Sequence, residues 1–201
     1  RTVSSALDVG CGPGNSSVVI QSVFPDADIL GIDFSADMVE RAKKDYPDIT
    51  FEQWDADEFT EVTDKKFDLI FSNACLQWLP DQFKTIKNLY KLLNENGIMA
   101  IQIPCNFDEP IHHLIHKVVT GEKWKTIFKH QRNYVMSSVE EYFDVISALS
   151  DEFDIWTTTY HHVLPSYEAL WAWYEGTGLR PYLSQIDDSM REELKKDIME
   201  E

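Results

Sequence analysis

The stretch Leu7-Asp8-Val9-Gly10-Cys11-Gly12-Pro13-Gly14-Asn15 constrains the fold most, because an apolar run ends there in three glycines at alternate positions and a helical pattern follows. Ser5 to Val9 has the composition of a short buried strand. Glycine at 10, 12 and 14 lets the backbone turn tightly and approach a ligand where any Cβ would collide. Dinucleotide-binding turns usually carry Gly-x-Gly-x-x-Gly and pack a pyrophosphate on the helix N-terminus. Here the third glycine comes one residue early, and Asp8 stands two residues before the first. A plain strand-to-helix turn could hold the same glycines, so the loop alone does not specify a ligand.

Further candidates lie at the ends of the next apolar runs. Asp28 to Asp33 ends in an acid 19 residues beyond Gly14, where α/β nucleotide folds set a carboxylate on ribose hydroxyls. Asp33 could instead cap the following helix, but Ser35, with Asp37 in the first turn, is better placed for that. Thr50 to Trp54 leads into Asp55-Ala56-Asp57. Phe67 to Ser72 opens into Asn73-Ala74-Cys75-Leu76-Gln77-Trp78-Leu79-Pro80-Asp81, the most distinctive segment of the chain.

Hydrophobic patterning predicts strands near 4–9, 28–33, 50–54, 67–72, 97–103 and 153–163, with helices near 15–24, 36–46, 81–94 and 138–149. That alternation is an α/β, doubly wound, mostly parallel sheet. The 201 residues, 43% of them hydrophobic, suit one core. No run approaches the ~20 apolar residues of a membrane span, and no signal peptide is visible at the start, so a cytoplasmic protein is expected. Cys11, Cys75 and Cys105 match no zinc spacing and are expected as reduced packing residues near the carboxyl edge of the sheet.

The glycine loop with its preceding acid resembles that of the class I S-adenosylmethionine (SAM) methyltransferases. The segment from Asn73, together with Asp154-Ile155-Trp156-Thr157-Thr158-Thr159-Tyr160-His161-His162 and Thr177-Gly178-Leu179-Arg180-Pro181-Tyr182, is similar to the trans-aconitate methyltransferase family within them. The resemblance implies a Rossmann-like methyltransferase domain over 1–201, with helical additions over the strand ends and a helical lid near 107–136. The family's first helices and last antiparallel strand are expected to lie outside this sequence. The implied cofactor is SAM, held by Asp8, Gly10, Gly12, Gly14, Asp33, Phe34, Asp55, Ala56 and Asn73. Asp8 would help to neutralise its charge, and Asp55 with the Ala56 N–H would hold adenine. The implied substrate is a small polycarboxylate, bound by Gln77, Trp78, Asn106, Tyr160 and Arg180. Trp78 and Tyr160 each have an equal claim to a core role, an asparagine such as Asn106 in a turn is usually structural, and Arg180 is the strongest candidate, with an ordinary surface position as its alternative.

Charge narrows the partners. A net charge of −17 repels phosphates and excludes a general nucleic-acid binder. From His112 to Arg132, however, the chain has Lys117, Lys123, Lys125, Lys129 and Arg132 against the single acid Glu122, with histidines at 112, 113, 116 and 130. That island could draw a polyanion, or could be the solvated face of an amphipathic helix whose apolar side is Leu114, Ile115, Val118 and Val119. His112 and His116 have helical metal-ligand spacing but no third ligand in register, so no metal is expected.

A carboxylic acid substrate is already ionised at neutral pH, so no catalytic base is expected and alignment with water exclusion remains. The expected reaction is carboxyl O-methylation of trans-aconitate or a close relative. The alternatives are another small-acid or malonyl-carrier O-methyltransferase, and a SAM-binding module without catalysis.

Overall fold

The computed structural model describes residues 2–106, 109–128 and 137–200. Five strands, β1 (Ser5–Val9), β2 (Asp28–Asp33), β3 (Thr50–Gln53), β4 (Phe67–Asn73) and β5 (Leu93–Gln102), form one sheet in the order β3-β2-β1-β4-β5. Every pairing is parallel. Strand order reverses between β1 and β4, and in open α/β sheets a crevice lies beyond the carboxyl ends of the strands at such a switch point.

Period-two alternation sends the side chains of β1 and β2 to two apolar layers. Leu7, Val9, Leu30 and Ile32 pack with α3 (Ala56–Val62), α4 (Gln82–Lys91) and partly buried residues of α6 (Val139–Ser147). Ala6 and Ile29 pack with α1 (Asn15–Val23) and α2 (Ala36–Asp45). Burial on both faces explains why these strands are continuous apolar runs in the sequence. Helices α1, α2, α4 and α6 fall within the predicted spans, and Ser138 with Glu141 closes a capping box on α6. The fifth strand starts at Leu93, four residues before the predicted 97, because α4 stops at Lys91 and an irregularity in register between Phe67 and Leu69 takes up the extra length. Helix α3 has no counterpart among the predicted spans; Asp55 caps it by accepting from the Asp57 and Glu58 N–H groups.

The strand expected at 153–163 is not formed. Its β-branched run Thr157 to Thr159 has the propensity for a strand, but propensity requires a hydrogen-bonded neighbour, and these residues are exposed and outside any ladder. The chain divides into two compact units, Arg1–Pro104 with Tyr134–Ile155, and Cys105–Asn133 with Trp156–Glu201. The first holds the sheet.

The second unit is helical: α5 (Pro110–Thr120), α7 (Tyr167–Glu175), α8 (Arg180–Leu183) and α9 (Asp188–Glu200). Ile115, Val118 and Val119 of α5 enter its core, the apolar side read from the sequence. Trp124 stacks on Phe128 at 5.5 Å, and its Nε1 donates to Asp197 Oδ2 at 2.7 Å. Trp124→Ala is expected to destabilise this unit by about 3–5 kcal/mol. Urea unfolding followed by helix circular dichroism measures it; a loss under about 1 kcal/mol would place Trp124 outside the core. Among the described residues no helix is long and apolar enough to cross a membrane.

Candidate functional site

The turn after β1 is built by backbone conformation. Gly10, Gly12 and Gly14 have φ of 73°, 53° and 91°, the left-handed region that side chains disfavour. The N–H groups of Gly10 and Cys11 both donate to Ile32 O, at 2.8 and 3.0 Å, which ties the turn to the end of β2. A Cβ on Gly10 would lie 2.3 Å from Cβ and Sγ of Cys75, whereas one on Gly12 would meet nothing within 4 Å. The glycine loop is therefore closed at Gly10 and open at Gly12. Gly10→Ala is expected to cost about 2 kcal/mol or more through φ and overlap together. Chemical denaturation of the variant measures this, and unchanged stability would show that the loop repacks freely.

Asp8 is wholly buried just before this turn. Its Oδ2 accepts from Ser16 Oγ at 2.6 Å and Ser17 Oγ at 2.5 Å, from the first turn of α1. Its Oδ1 is buried with no partner among the described residues. Burial raises the Asp8 pKa, the two serine hydroxyls pull it back, and the Asp33 charge adds to the rise. The serines have no place in the sequence-derived site, although their positions in the first helical turn after an acid-tipped strand are a signal that could have suggested one.

Asp33, at the end of β2, holds two loops. Its Oδ2 accepts from the Gly12 N–H at 2.9 Å and its Oδ1 from the Ser35 N–H at 2.8 Å. Ser35 occupies the cap position of α2 as expected, but its hydroxyl makes no capping bond. Each Asp33 oxygen retains an acceptor site, since a carboxylate oxygen has two. Phe34 beside it is 74% exposed. Asp55 and Ala56 begin α3, with Asp55 Oδ1 used in capping and Ala56 buried.

Asn73, the last residue of β4, is exposed, and Gln77 beyond it is buried with Nε2 donating to Ala74 O at 2.8 Å. Trp78 is half exposed in the same 3-10 turn, Leu76–Trp78. Burial, then the charges of Asp33 and Asp8, push the Cys75 thiol up to about 12. Burial, with Asp8 and Asp33, also raises that of Cys11. A raised pKa lowers the thiolate fraction, which disfavours both as nucleophiles.

The remaining candidates lie in the helical unit. Asn106 is exposed. Tyr160, expected on or after a strand, instead lies in irregular chain, 74% exposed, stacked on His162 at 6.1 Å. Arg180 opens α8, exposed and with no ion pair among the described residues. Tyr182 of this short helix is buried against Phe128. Cys105 is exposed, not packed as expected. The basic island is partly matched by α9 and its own turn: Lys123 pairs with Glu193 at 2.9 Å and Asp197 at 2.5 Å, and Lys125 with Glu122. Lys129, His130 and Arg132 lie outside the described residues, as does part of the 107–136 span. Among the described residues no group of three or more His, Cys, Asp or Glu could hold a metal.

A family model described as a methyltransferase domain matches residues 3–141. Trans-aconitate 2-methyltransferase of Escherichia coli is 39% identical over 189 residues, covering 94% of this chain and 73% of that protein. The protein of the same name from Shigella flexneri gives the same identity and coverage. Among solved structures, the plantazolicin methyltransferase BamL in complex with a triazolic desmethylPZN analog and SAH aligns with a TM-score of 0.55 at 24% identity. That alignment covers 75% of this chain but 55% of BamL, and at this identity it speaks for the fold.

Proposed function

The chain belongs to the S-adenosylmethionine-dependent methyltransferase family, and on that premise we propose that it methylates a carboxylate of trans-aconitate or a close polycarboxylate, giving the monomethyl ester. The observation that carries the cofactor half is Asp33, fixed by the Gly12 and Ser35 N–H groups beside the open side of the glycine loop. The substrate half leans on the 39% identity across 94% of the chain to trans-aconitate 2-methyltransferase.

The donor set fits a cationic nucleoside. Asp8 lies near the end of β1, Asp33 ends β2 and Asp55 follows β3, three neighbouring parallel strands, so three carboxylates stand at the same edge of the sheet. A pyrophosphate would be repelled there, whereas a sulfonium with an α-amino group would be attracted. In our reading Asp8 and the backbone of Gly10, Gly12 and Gly14 hold the methionine portion. Asp33 accepts from the ribose hydroxyls, Asp55 with the Ala56 N–H reads adenine, and Phe34 and Asn73 complete the contacts. When bound, S-adenosylmethionine supplies a methyl group activated by its sulfonium.

No residue of the chain needs to take a proton, because the substrate carboxylate arrives ionised. The chain's task is then alignment and exclusion of water. Arg180 is our candidate for the substrate's remaining carboxylates, since a guanidinium binds carboxylate at two points. Asn106, Tyr160 and Trp78 are proposed as further substrate contacts, and the cytoplasm as the setting. Arg180→Met is expected to raise KM for the acid about tenfold or more with SAM affinity unchanged; equal kinetics would place the anion elsewhere.

The test incubates the full-length protein with methyl-labelled SAM and, in parallel, trans-aconitate, cis-aconitate, citrate and a malonyl thioester. Labelled ester from trans-aconitate is the expected product. Ester from the thioester alone, or SAM binding without turnover of any acid, would overturn the substrate assignment.

A further inference from the structure

The exit from β4 is unusual. Ala74, the residue after Asn73, has φ of 54°, in the left-handed region that alanine enters only at a cost. It is held from both sides. Its N–H donates to Gln102 O at 2.9 Å, which carries the β4–β5 pairing one residue further, and its carbonyl accepts from Gln77 Nε2 at 2.8 Å. The next residue, Cys75, fills with its Cβ and Sγ the space that a side chain on Gly10 would need. The left-handed turn thus brings the β4 exit against the glycine loop.

Gln77 is 3% exposed, and its Oε1 is buried without a partner among the described residues. A methionine would fill similar volume without the cost of an unpaired buried oxygen, so packing alone does not account for a glutamine here. Rotating the amide would oppose Oε1 to the Ala74 carbonyl oxygen, acceptor against acceptor, so Nε2 must face Ala74.

We propose that Gln77 is a positioning residue of the cofactor site, its amide latching the left-handed turn at Ala74 and so keeping Cys75 seated on Gly10. The effect on cofactor binding rests on the function proposed above; the latch itself does not.

Wild type, Gln77→Met, Gln77→Glu and the double variant Gln77→Met with Ala74→Gly are compared in the full-length protein. Alkylation of Cys75 by iodoacetamide is followed by peptide mass spectrometry, with the exposed Cys105 as internal standard. S-adenosylhomocysteine binding is measured by calorimetry. Gln77→Met deletes the donor at similar volume, and Gln77→Glu turns an acceptor towards the Ala74 carbonyl. Both are expected to speed Cys75 labelling relative to Cys105, and to weaken S-adenosylhomocysteine binding, by about tenfold each. Glycine accepts positive φ freely, so Ala74→Gly is expected to restore both in the Gln77→Met background. A merely space-filling Gln77 would lower the melting temperature with Cys75 labelling unchanged and no rescue by glycine, and that result overturns the latch. Should wild type bind no S-adenosylhomocysteine, the functional reading falls while the labelling still decides the latch.

Discussion

Asp33→Ala is expected to reduce affinity for S-adenosylhomocysteine by about a hundredfold or more, because one truncation removes both the proposed ligand acceptor and the support of the loop around it. Two backbone donors, Gly12 N–H at 2.9 Å and Ser35 N–H at 2.8 Å, converge on this carboxylate. Hydrogen bonds to a charged group are worth about 1.5–3 kcal/mol each, and about 1.4 kcal/mol is tenfold in affinity. Losing the proposed ribose acceptors together with the tether on Gly12 therefore exceeds what either loss would cost alone. Asp33→Asn should fall between, since the amide retains one acceptor oxygen while its NH₂ opposes a backbone donor. Calorimetric titration measures both, and an alanine variant that binds like wild type would remove Asp33 from the site.

The second large effect pairs a gain with a loss. Asp8→Asn is expected to raise the melting temperature of the cofactor-free protein by a few degrees and to weaken SAM binding about tenfold or more. The sign follows from linkage. Burial, offset in part by Ser16 and Ser17, and the Asp33 charge raise the Asp8 pKa above its unfolded value. The folded state then holds this proton more tightly than the unfolded chain. The cost of the charge is absent below the unfolded pKa, grows as pH rises through the interval up to the folded pKa, and is fully present above it. Asparagine removes that cost at neutral pH, so the stability difference between variant and wild type should shrink as pH falls towards about 4. In the proposed site the same substitution withdraws a negative charge from a cationic cofactor. Loss of affinity should be smaller for S-adenosylhomocysteine, which lacks the sulfonium charge. A lower melting temperature in Asp8→Asn at neutral pH would contradict this assignment of the buried charge.

Both residues are legible in the sequence because each stands at a strand end, in a pattern set by local chemistry. The apolar runs of β1, β2 and β4 read directly as buried strands, and three glycines with Asp8 in front of them define the turn. What escapes a reading of the sequence depends on partners distant along the chain. Thr157 to Thr159 look like a strand until a neighbouring ladder is required of them, and Tyr160 goes with that segment into irregular exposed chain. The basic island looks free to meet an anion, yet Lys123 is matched by Glu193 and Asp197, each at least 70 residues away. A left-handed alanine leaves no mark in composition, so Ala74 and the role of the Gln77 amide emerge only from backbone geometry. Asp55 stands out as an acid after a strand, whereas its Oδ1 caps a helix too short for the apolar pattern to reveal.

In the proposed site the carboxyl ends of β1 and β2 hold an adenosyl sulfonium through Asp8, the glycine loop and Asp33. Titration of the full-length protein with SAM and, separately, with NADH distinguishes such a site from a dinucleotide site. Saturable one-to-one binding of SAM that is lost in Asp33→Ala, with no binding of NADH, is the expected result. No heat with SAM, or binding of NADH that depends on Asp33, would contradict it.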